Sequence, residues 1–239
     1  MYLFAIISDV KCTNYDISGN HPANKEIRQI YKICGFDKLL NNEEFSYNRD
    51  KANTLLLIRG NKVKSKIAKK ICKFLTEKIG INTVKFYGAF VELMTNTVQH
   101  AYYDCEERQL EGKWQVFVRY LDNKVKFVFL DTGKGIPSTV RKNKTEKLLE
   151  IFTPIVKTID ESDILKSAFE GKFRTRTEEE NRGKGLPQIY ELFKSENIDN
   201  VFVYSGKSNC IIKKNSEDSY FSCDDEFYGT LYEFDFKGV

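Results

Sequence analysis

The sequence lacks any long apolar run, and this argues against a membrane-spanning helix. Its longest apolar stretches are short, and even residues 125–130 are interrupted by Lys126, whereas a helix that spans a bilayer needs about 20 apolar residues. The first nine residues have neither the basic start nor the small-residue cleavage site of a signal peptide. The sequence therefore predicts a soluble, cytoplasmic protein.

Metal-ligand motifs are equally scarce. The six cysteines are scattered along the chain without a CxxC pair, and only two histidines are present. Structural zinc sites need closely spaced pairs of such ligands, so zinc is disfavoured. In a reducing compartment the cysteines are predicted to be free thiols, several of them buried.

The chain has no strong excess of charge of one sign. Lys and Arg number 38 against 34 Asp and Glu, which leaves a net charge of +4, and this is too small to indicate nucleic-acid binding by itself. Lysines cluster in residues 62–70, but Val63, Ile67 and Ile71 lie between them at helical spacing. Such a pattern is typical of the solvated face of a helix, so nucleic-acid binding is not supported.

With 239 residues, of which 41% are hydrophobic, the chain suits one large domain with a short appendage. We predict an N-terminal α/β segment over residues 1–60 and a main domain over residues 61–239. Helical periodicity and strand patterns alternate along both. Helices are predicted over residues 24–34, 61–80, 82–103, 163–169 and 186–194, and strands over 53–58, 114–121, 124–130, 201–204, 210–213, 220–221 and 230–236.

The helix predicted over residues 82–103 is the most informative segment. Its apolar residues fill one half of the helix, and the other half is polar. Glu92, Asn96 and His100 are spaced four apart, so they are expected to form one row on that polar face. Taken alone, such a helix is typical of a protein surface.

Two glycine-rich turns follow along the chain. DTGKGI, at residues 131–136, ends a predicted strand, and RGKGL, at residues 182–186, begins a predicted helix. Each could be a simple tight turn that uses the backbone freedom of glycine. The polar and charged residues between them, 138–182, are predicted to form a lid, because long connections in compact domains are usually functional or disordered.

In this order and spacing the motifs resemble those of the GHKL ATPases, whose nucleotide-binding domain is the Bergerat fold. ELMTNTVQHA, at residues 92–101, resembles the N box, and the two glycine-rich turns resemble the two glycine boxes. Gly229-Thr230 resembles the threonine that closes the adenine pocket. The resemblance covers residues 61–239 and is nearest to the histidine-kinase-like and anti-sigma-kinase branch. It implies an α/β fold, an α+β sandwich whose mixed, largely antiparallel sheet carries helices on one face.

The resemblance also implies a role for each motif, and the residue types suit the chemistry. The carboxylate of Asp131 would accept the exocyclic amine of adenine. The amide oxygen of Asn96 would hold Mg²⁺, which prefers oxygen ligands and keeps several waters, and Glu92 would act as a general base for a water that attacks the γ-phosphate. The second glycine box would bind phosphate at a helix N-terminus.

Further residues complete the predicted ATP site. The other ATP-binding positions implied by the resemblance are Gly133, Gly135, Ile136, Arg182, Gly183, Lys184, Gly185, Leu186 and Thr230. Arg174 and Arg176 are possible phosphate contacts from the lid. His100 is either a phosphate contact or a surface histidine.

Several functions remain open. The leading expectation is an ATP- and Mg²⁺-binding ATPase module whose lid controls contacts with a protein partner or a second copy. Hydrolysis is predicted to be slow, because the chain stops at Val239, where gyrase-like members continue into a domain that supplies a catalytic lysine. The alternatives are an anti-sigma-type serine kinase that acts on a STAS-like partner and a non-catalytic nucleotide-gated module.

Autophosphorylation is not expected, because no helix with a phospho-acceptor histidine precedes the domain and Gln99 replaces a basic residue common in histidine kinases. Residues 1–60 resemble the closing half of a STAS-like unit, or are an extension that packs on the sheet.

Overall fold

A computed structural model describes residues 22–33, 55–102, 111–141, 160–173 and 185–238 of the chain. The helices are α1 (Lys25–Ile33), α2 (Ser65–Ile79), α3 (Val84–Asn96), a π-helix (Thr97–Ala101) that continues α3, a short helical stretch at residues 136–141, α4 (Glu161–Phe169) and α5 (Gly185–Phe193). The strands are β1 (Leu55–Gly60), β2 (Trp114–Leu121), β3 (Lys124–Asp131), β4 (Ile198–Lys213) and β5 (Ser219–Lys237).

The five strands form one antiparallel sheet in the order β1-β2-β3-β5-β4. With the helices packed on it, this gives the mixed α/β, α+β sandwich class that the sequence predicts. The hairpin between β2 and β3 turns at Asp122 and Asn123, both with positive φ (50° and 57°), as a two-residue turn of this hand requires.

The C-terminal strands are longer than predicted. The four short strands expected between residues 201 and 236 are parts of β4 and β5, which pair from Ile198↔Phe236 to Ile211↔Ser219. The register shifts on both sides of Gly206, so the alternation of buried and exposed side chains is interrupted there. The alternating sequence pattern is therefore interrupted at residues where the strand itself continues.

Aromatic rings hold the helices on one face of the sheet. Phe86 of α3 meets Phe127 of β3 edge to face at 5.2 Å between ring centroids, and Phe193 of α5 meets Phe234 of β5 at 5.5 Å. All four rings are buried, and burial of each contributes about 1.5–3 kcal/mol. The opposite face carries the ion pair of Lys126 with Glu233. These contacts set the positions of α3 and α5, which carry the site described below.

The sheet begins before residue 61. β1 pairs with β2 from Leu55↔Arg119 to Gly60↔Trp114, so residues 55–60, which sequence reasoning placed in the N-terminal segment, belong to the same sheet as the rest. α1 matches the helix predicted over residues 24–34. Residues 1–21 and 34–54 lie outside the described residues, so the STAS-like resemblance stays a prediction.

Helix α4 falls inside the range predicted as a lid, residues 138–182. Its Leu165 and Phe169 are buried in the core, because their apolar side chains lie four apart on the face that meets the sheet. Glu161, at its first turn, forms an ion pair with Arg141 at 2.9 Å and accepts the backbone N–H of Lys207 at 2.6 Å. Residues 160–173 are thus a packed part of the domain. The lid stays a prediction for residues 142–159 and 174–182, which the structure does not describe.

Two further predictions concern helices and thiols. α2 ends at Gly80, which has φ 70° and donates its N–H to the carbonyl oxygen of Thr76, as a glycine just beyond a helix end commonly does. Within the described residues Cys72, Cys210 and Cys223 are free thiols. None of the described helices is long and apolar enough to cross a membrane.

Candidate functional site

The segment that resembles the N box lies against α5, the helix that begins within the second glycine-rich turn. Both Glu92 and Asn96 are on the side of α3 that meets the first residue of α5, Gly185. A methyl group at Gly185 would lie 2.7 Å from Glu92 Oε2 and 3.4 Å from Asn96 Oδ1. Glu92 and Asn96, from the half of the helix predicted to be polar, therefore face α5 rather than open solvent, and a side chain at residue 185 would displace the carboxylate.

The two polar side chains on α3 differ in their surroundings. Burial raises the pKa of the Glu92 carboxyl, because a partly buried carboxylate is less well solvated. The Nδ2 atom of Asn96 is buried and has no hydrogen-bond partner among the described residues. A buried amide N–H group without a partner is costly, so this side chain is suited to a ligand that presents a hydrogen-bond acceptor to it.

The row predicted for Glu92, Asn96 and His100 extends over two kinds of helix. α3 ends at Asn96, and residues Thr97–Ala101 form a π-helix, in which hydrogen bonds join residues five apart and each turn holds more residues. α-Helical spacing thus relates Glu92 to Asn96 but does not extend to His100. The side chain of His100 is exposed, and its carbonyl oxygen accepts the Thr139 hydroxyl at 3.4 Å.

Asp131 ends β3 as a buried carboxyl, with 5% of its surface exposed. Burial raises the pKa of this carboxyl to about 7, although hydrogen bonds from the N–H groups of Gly133 and Thr230 and from the Thr97 side chain lower it. Thr97 directly follows Asn96 in the chain. The carboxyl of the first glycine box is therefore in contact with the residue next to the predicted magnesium ligand.

The first glycine box is held between the π-helix and strands β4 and β5. Gly133 packs against Ala101, and the N–H of Lys134 donates to the Ala101 carbonyl oxygen at 2.8 Å. Gly135 has φ +79°, and a methyl group there would lie 3.0 Å from both Ser205 Oγ and Gly206 N. Glycine is thus required at residue 135 by its backbone conformation and by the lack of space.

Two hydroxyl groups that support this turn were not identified from the sequence. The Tyr102 hydroxyl accepts the N–H of Thr132 at 2.8 Å and lies 2.9 Å from the Lys113 carbonyl oxygen. Ser205 Oγ accepts the N–H of Ile136 at 2.7 Å and lies 2.9 Å from Thr230 Oγ1. The sequence did contain a signal for Ser205. Val201, Val203 and Ser205 are alternate residues of one strand, and alternate residues of a strand face the same side, so Ser205 is expected to face inward with the two valines. Tyr102 had no comparable signal.

The remaining predicted residues divide into two groups. Ile136 and Leu186 are partly buried and pack against the hydrophobic core. They therefore attach the first and the second glycine-rich turn to the core of the domain. The others lie outside the described residues: Arg174, Arg176, Arg182, Gly183 and Lys184.

Other sites are less well supported. Across the described ranges, no group of three or more His, Cys, Asp or Glu side chains could hold a metal ion. A groove of about 420 Å³ opens at the other end of α3, beside Val84 and Phe86, and none of the predicted site residues lines it. Comparisons of the chain with protein-family models and with curated proteins find no match. The description of the site therefore depends on the geometry given above.

Proposed function

We propose that this chain is a GHKL-type module that binds ATP with Mg²⁺ and hydrolyses it slowly. The observation that carries the proposal is the close approach of Gly185 to Glu92 and Asn96. It brings the second glycine box to the N box, while Thr97 brings the N box to Asp131. Three segments far apart in sequence, each with the residue types that ATP recognition needs, therefore meet on one side of the sheet.

The purine end of the proposed site is the carboxyl of Asp131. An exocyclic amine needs a shielded acceptor, and a carboxylate at a buried strand end supplies one. Gly133 and Gly135 leave the adjacent turn without side chains, so a ring can approach the backbone. Because the pKa of Asp131 is about 7, the accepting, ionised form is populated at and above neutral pH.

The phosphate end of the proposed site is the start of α5, where it lies against Glu92 and Asn96 of α3. A helix N-terminus favours anions because its N–H groups lack partners within the helix. Asn96 would hold Mg²⁺ through its amide oxygen, and the ion, when bound, would neutralise charge on the phosphate oxygens. Glu92 would take the proton of the water that attacks the γ-phosphate, and its raised pKa suits a general base. The products are ADP and inorganic phosphate.

A serine kinase would use the same groups differently. Glu92 would then take the proton of a seryl hydroxyl on a partner protein, and the γ-phosphoryl group would pass to that oxygen rather than to water. A purely nucleotide-gated module would need neither step. The presence of a carboxylate and an amide one helical turn apart, both against Gly185, favours chemistry over a non-catalytic switch.

The test is equilibrium binding of labelled ATP with and without Mg²⁺. We expect binding at or below millimolar ATP, strengthened by Mg²⁺ and weakened at least tenfold in Asp131→Asn. Asp225→Asn, a change of an exposed carboxylate on β5, is the matched control. Absence of wild-type binding at millimolar ATP, or equal binding by Asp131→Asn, would contradict the proposal. Incubation with γ-labelled ATP and STAS-like proteins separates the activities, because an ATPase releases phosphate and a kinase transfers it.

A further inference from the structure

We infer that this chain associates with further copies of itself through two surfaces of opposite charge. A lysine face on α2 of one copy binds an acidic bulge on β5 of the next copy. The inference goes beyond the proposed function and does not depend on it. The lysine face consists of Lys66, Lys69 and Lys73, and the acidic bulge consists of Asp224, Asp225 and Glu226.

Positive charge is concentrated at the start of α2. Residues 62–73 contain six lysines and no acidic residue. The whole chain has a net charge of +4, so subtracting these six charges leaves −2 for the rest of the chain. Lys66, Lys69 and Lys73 are exposed, and their spacing of three and four residues places them on one face of the helix. A strongly basic surface therefore lies on an otherwise slightly acidic protein.

The lysine face weakens the helix that carries it. Lys69 lies three residues after Lys66 and four before Lys73, and like charges at these spacings destabilise a helix. Lys66 is in the first turn, where a positive charge opposes the helix dipole, and this turn has neither an acidic residue nor a side-chain cap. Among the described residues, the ion pair that this face forms is that of Lys73 with Glu77. An anionic partner therefore explains these lysines better than the stability of α2 does.

The acidic bulge interrupts the ladder between β4 and β5. Gly206 pairs with Phe227, and Ser208 pairs with Ser222, so one residue of β4 lies opposite the four residues 223–226 of β5. Extra residues in one strand leave the ladder and bend that strand. The three acidic side chains of the bulge are exposed, and the ion pairs of the described residues do not include them. The bulge thus presents three carboxylates to a partner.

The two surfaces match in more than charge. Phe221 and Tyr228, before and after the bulge, have 47% and 64% of their surfaces exposed, and Val63, just before the lysine face, has 41%. A lysine ammonium is attracted to an aromatic ring as well as to a carboxylate, and aromatic residues are enriched at protein interfaces. Nucleic acid or an anionic membrane would account for the lysines alone, whereas a second copy accounts for both surfaces.

Within one copy the two surfaces lie toward opposite edges of the sheet. The carbonyl oxygen of Lys62, just before α2, accepts the indole N–H of Trp114 on β2, whereas the bulge lies beside β4, the last strand of the sheet. β2 and β4 are three strand spacings apart, about 14 Å. The surfaces are therefore expected to meet between copies. Because such a contact joins two different surfaces, it continues as a chain of copies or closes as a ring.

Sedimentation velocity of the full chain over a range of protein concentrations tests the inference. In about 0.05 M salt we expect the average sedimentation coefficient to rise with concentration, and in about 1 M salt this rise should be lost, because salt screens exposed charges. The double variant Lys66→Glu with Lys69→Glu and the double variant Asp224→Lys with Asp225→Lys should each stay monomeric. An equal mixture of the two should associate as the wild type does, because their reversed charges complement each other again.

The matched control is the double variant Lys85→Glu with Lys124→Glu, which makes the same charge change at two other exposed lysines and should associate normally. A mixture of the two charge-reversed variants that stays monomeric overturns the inference, as does a wild type that is monomeric in both salts. Wild-type binding to a DNA oligonucleotide or to an anionic vesicle would, in that second case, assign the lysines to that partner. ATP binding is measured on the same variants and should be unchanged, so failure of the proposed function is seen separately.

The charge-reversed variants also report on the cost of the lysine face. Lys66→Glu with Lys69→Glu removes the repulsion between lysines and adds a carboxylate to the first turn, so its thermal midpoint should rise above that of the wild type. A higher midpoint shows that the variant folds and that the wild-type lysines do not serve stability. A lower midpoint would show that these lysines stabilise the helix, and would overturn the inference.

Discussion

The carboxylate of Glu92 occupies the space that a side chain would need at Gly185. A methyl group at Gly185 would be 2.7 Å from Glu92 Oε2, closer than side-chain carbons approach other atoms in folded proteins. A methyl group at residue 185 would therefore displace the Glu92 carboxylate. With glycine at residue 185, the start of α5 lies directly against the side of α3 that carries Glu92.

Gly185→Ala should impair function more than folding. The added methyl group would push Glu92 away from the phosphate end, so we expect ATP hydrolysis to fall at least tenfold. The free energy of unfolding should change by no more than about 2 kcal/mol, because overpacking is partly offset by the better helix propensity of alanine. Phosphate release and urea unfolding measure the two effects. Gly88→Ala is the control, since its methyl group meets only the end of the flexible Gln188 side chain. Equal loss of activity in both variants would contradict the prediction.

Glu92→Gln should separate hydrolysis from binding. The amide cannot accept the proton of the attacking water, so turnover should fall about 10²–10⁴-fold, whereas ATP affinity should stay within about threefold. Steady-state phosphate release and equilibrium binding test the two parts. Glu77→Gln, which changes an exposed carboxylate on α2 that pairs with Lys73, should leave both unchanged. Undiminished turnover by Glu92→Gln would exclude Glu92 as the base.

Asp131→Asn should change how stability depends on pH. The pKa of Asp131 is about 7 in the folded chain against an ordinary value of 3.8, so between these values the folded chain binds a proton that the unfolded chain releases. Wild-type stability therefore falls as pH rises from about 4 to 7. The variant lacks this titration, and its advantage over the wild type in unfolding free energy should be about 2 kcal/mol larger at pH 8 than at pH 5. Urea unfolding at both pH values measures it, and a difference that is independent of pH would contradict the assigned pKa.

Tyr102→Phe should loosen the first glycine box. The change removes the hydroxyl that accepts the Thr132 N–H, which should cost about 1–3 kcal/mol of unfolding free energy and weaken ATP binding several-fold. Thermal unfolding and ATP titration provide the measurements. Tyr228→Phe, at a residue with 64% of its surface exposed, should alter neither. If Tyr102→Phe behaved like Tyr228→Phe, the hydroxyl would have no part in holding the turn.

Most elements could be predicted because their signals are local. The spacing of Phe86, Phe90 and Leu93 predicts α3, Gly80 predicts the end of α2, and Asp122-Asn123 predicts the hairpin. The π-helix could not be predicted in this way, because it arises where Ala101 must meet Gly133 and Lys134. The alignment of His100 with Asn96 therefore stays a prediction.

Sequence alone determined which residue types are available for the proposed chemistry, their order along the chain and most of the elements that bear them, because periodicity, capping and turn preferences depend on near neighbours. Tertiary structure decided which of these groups meet. The packing of aromatic rings from α3 and α5 on one sheet brings Glu92 to Gly185 and Thr97 to Asp131. It also places the hydroxyls of Tyr102 and Ser205 on the glycine turn, since contacts between distant segments follow from how whole elements bury their apolar faces.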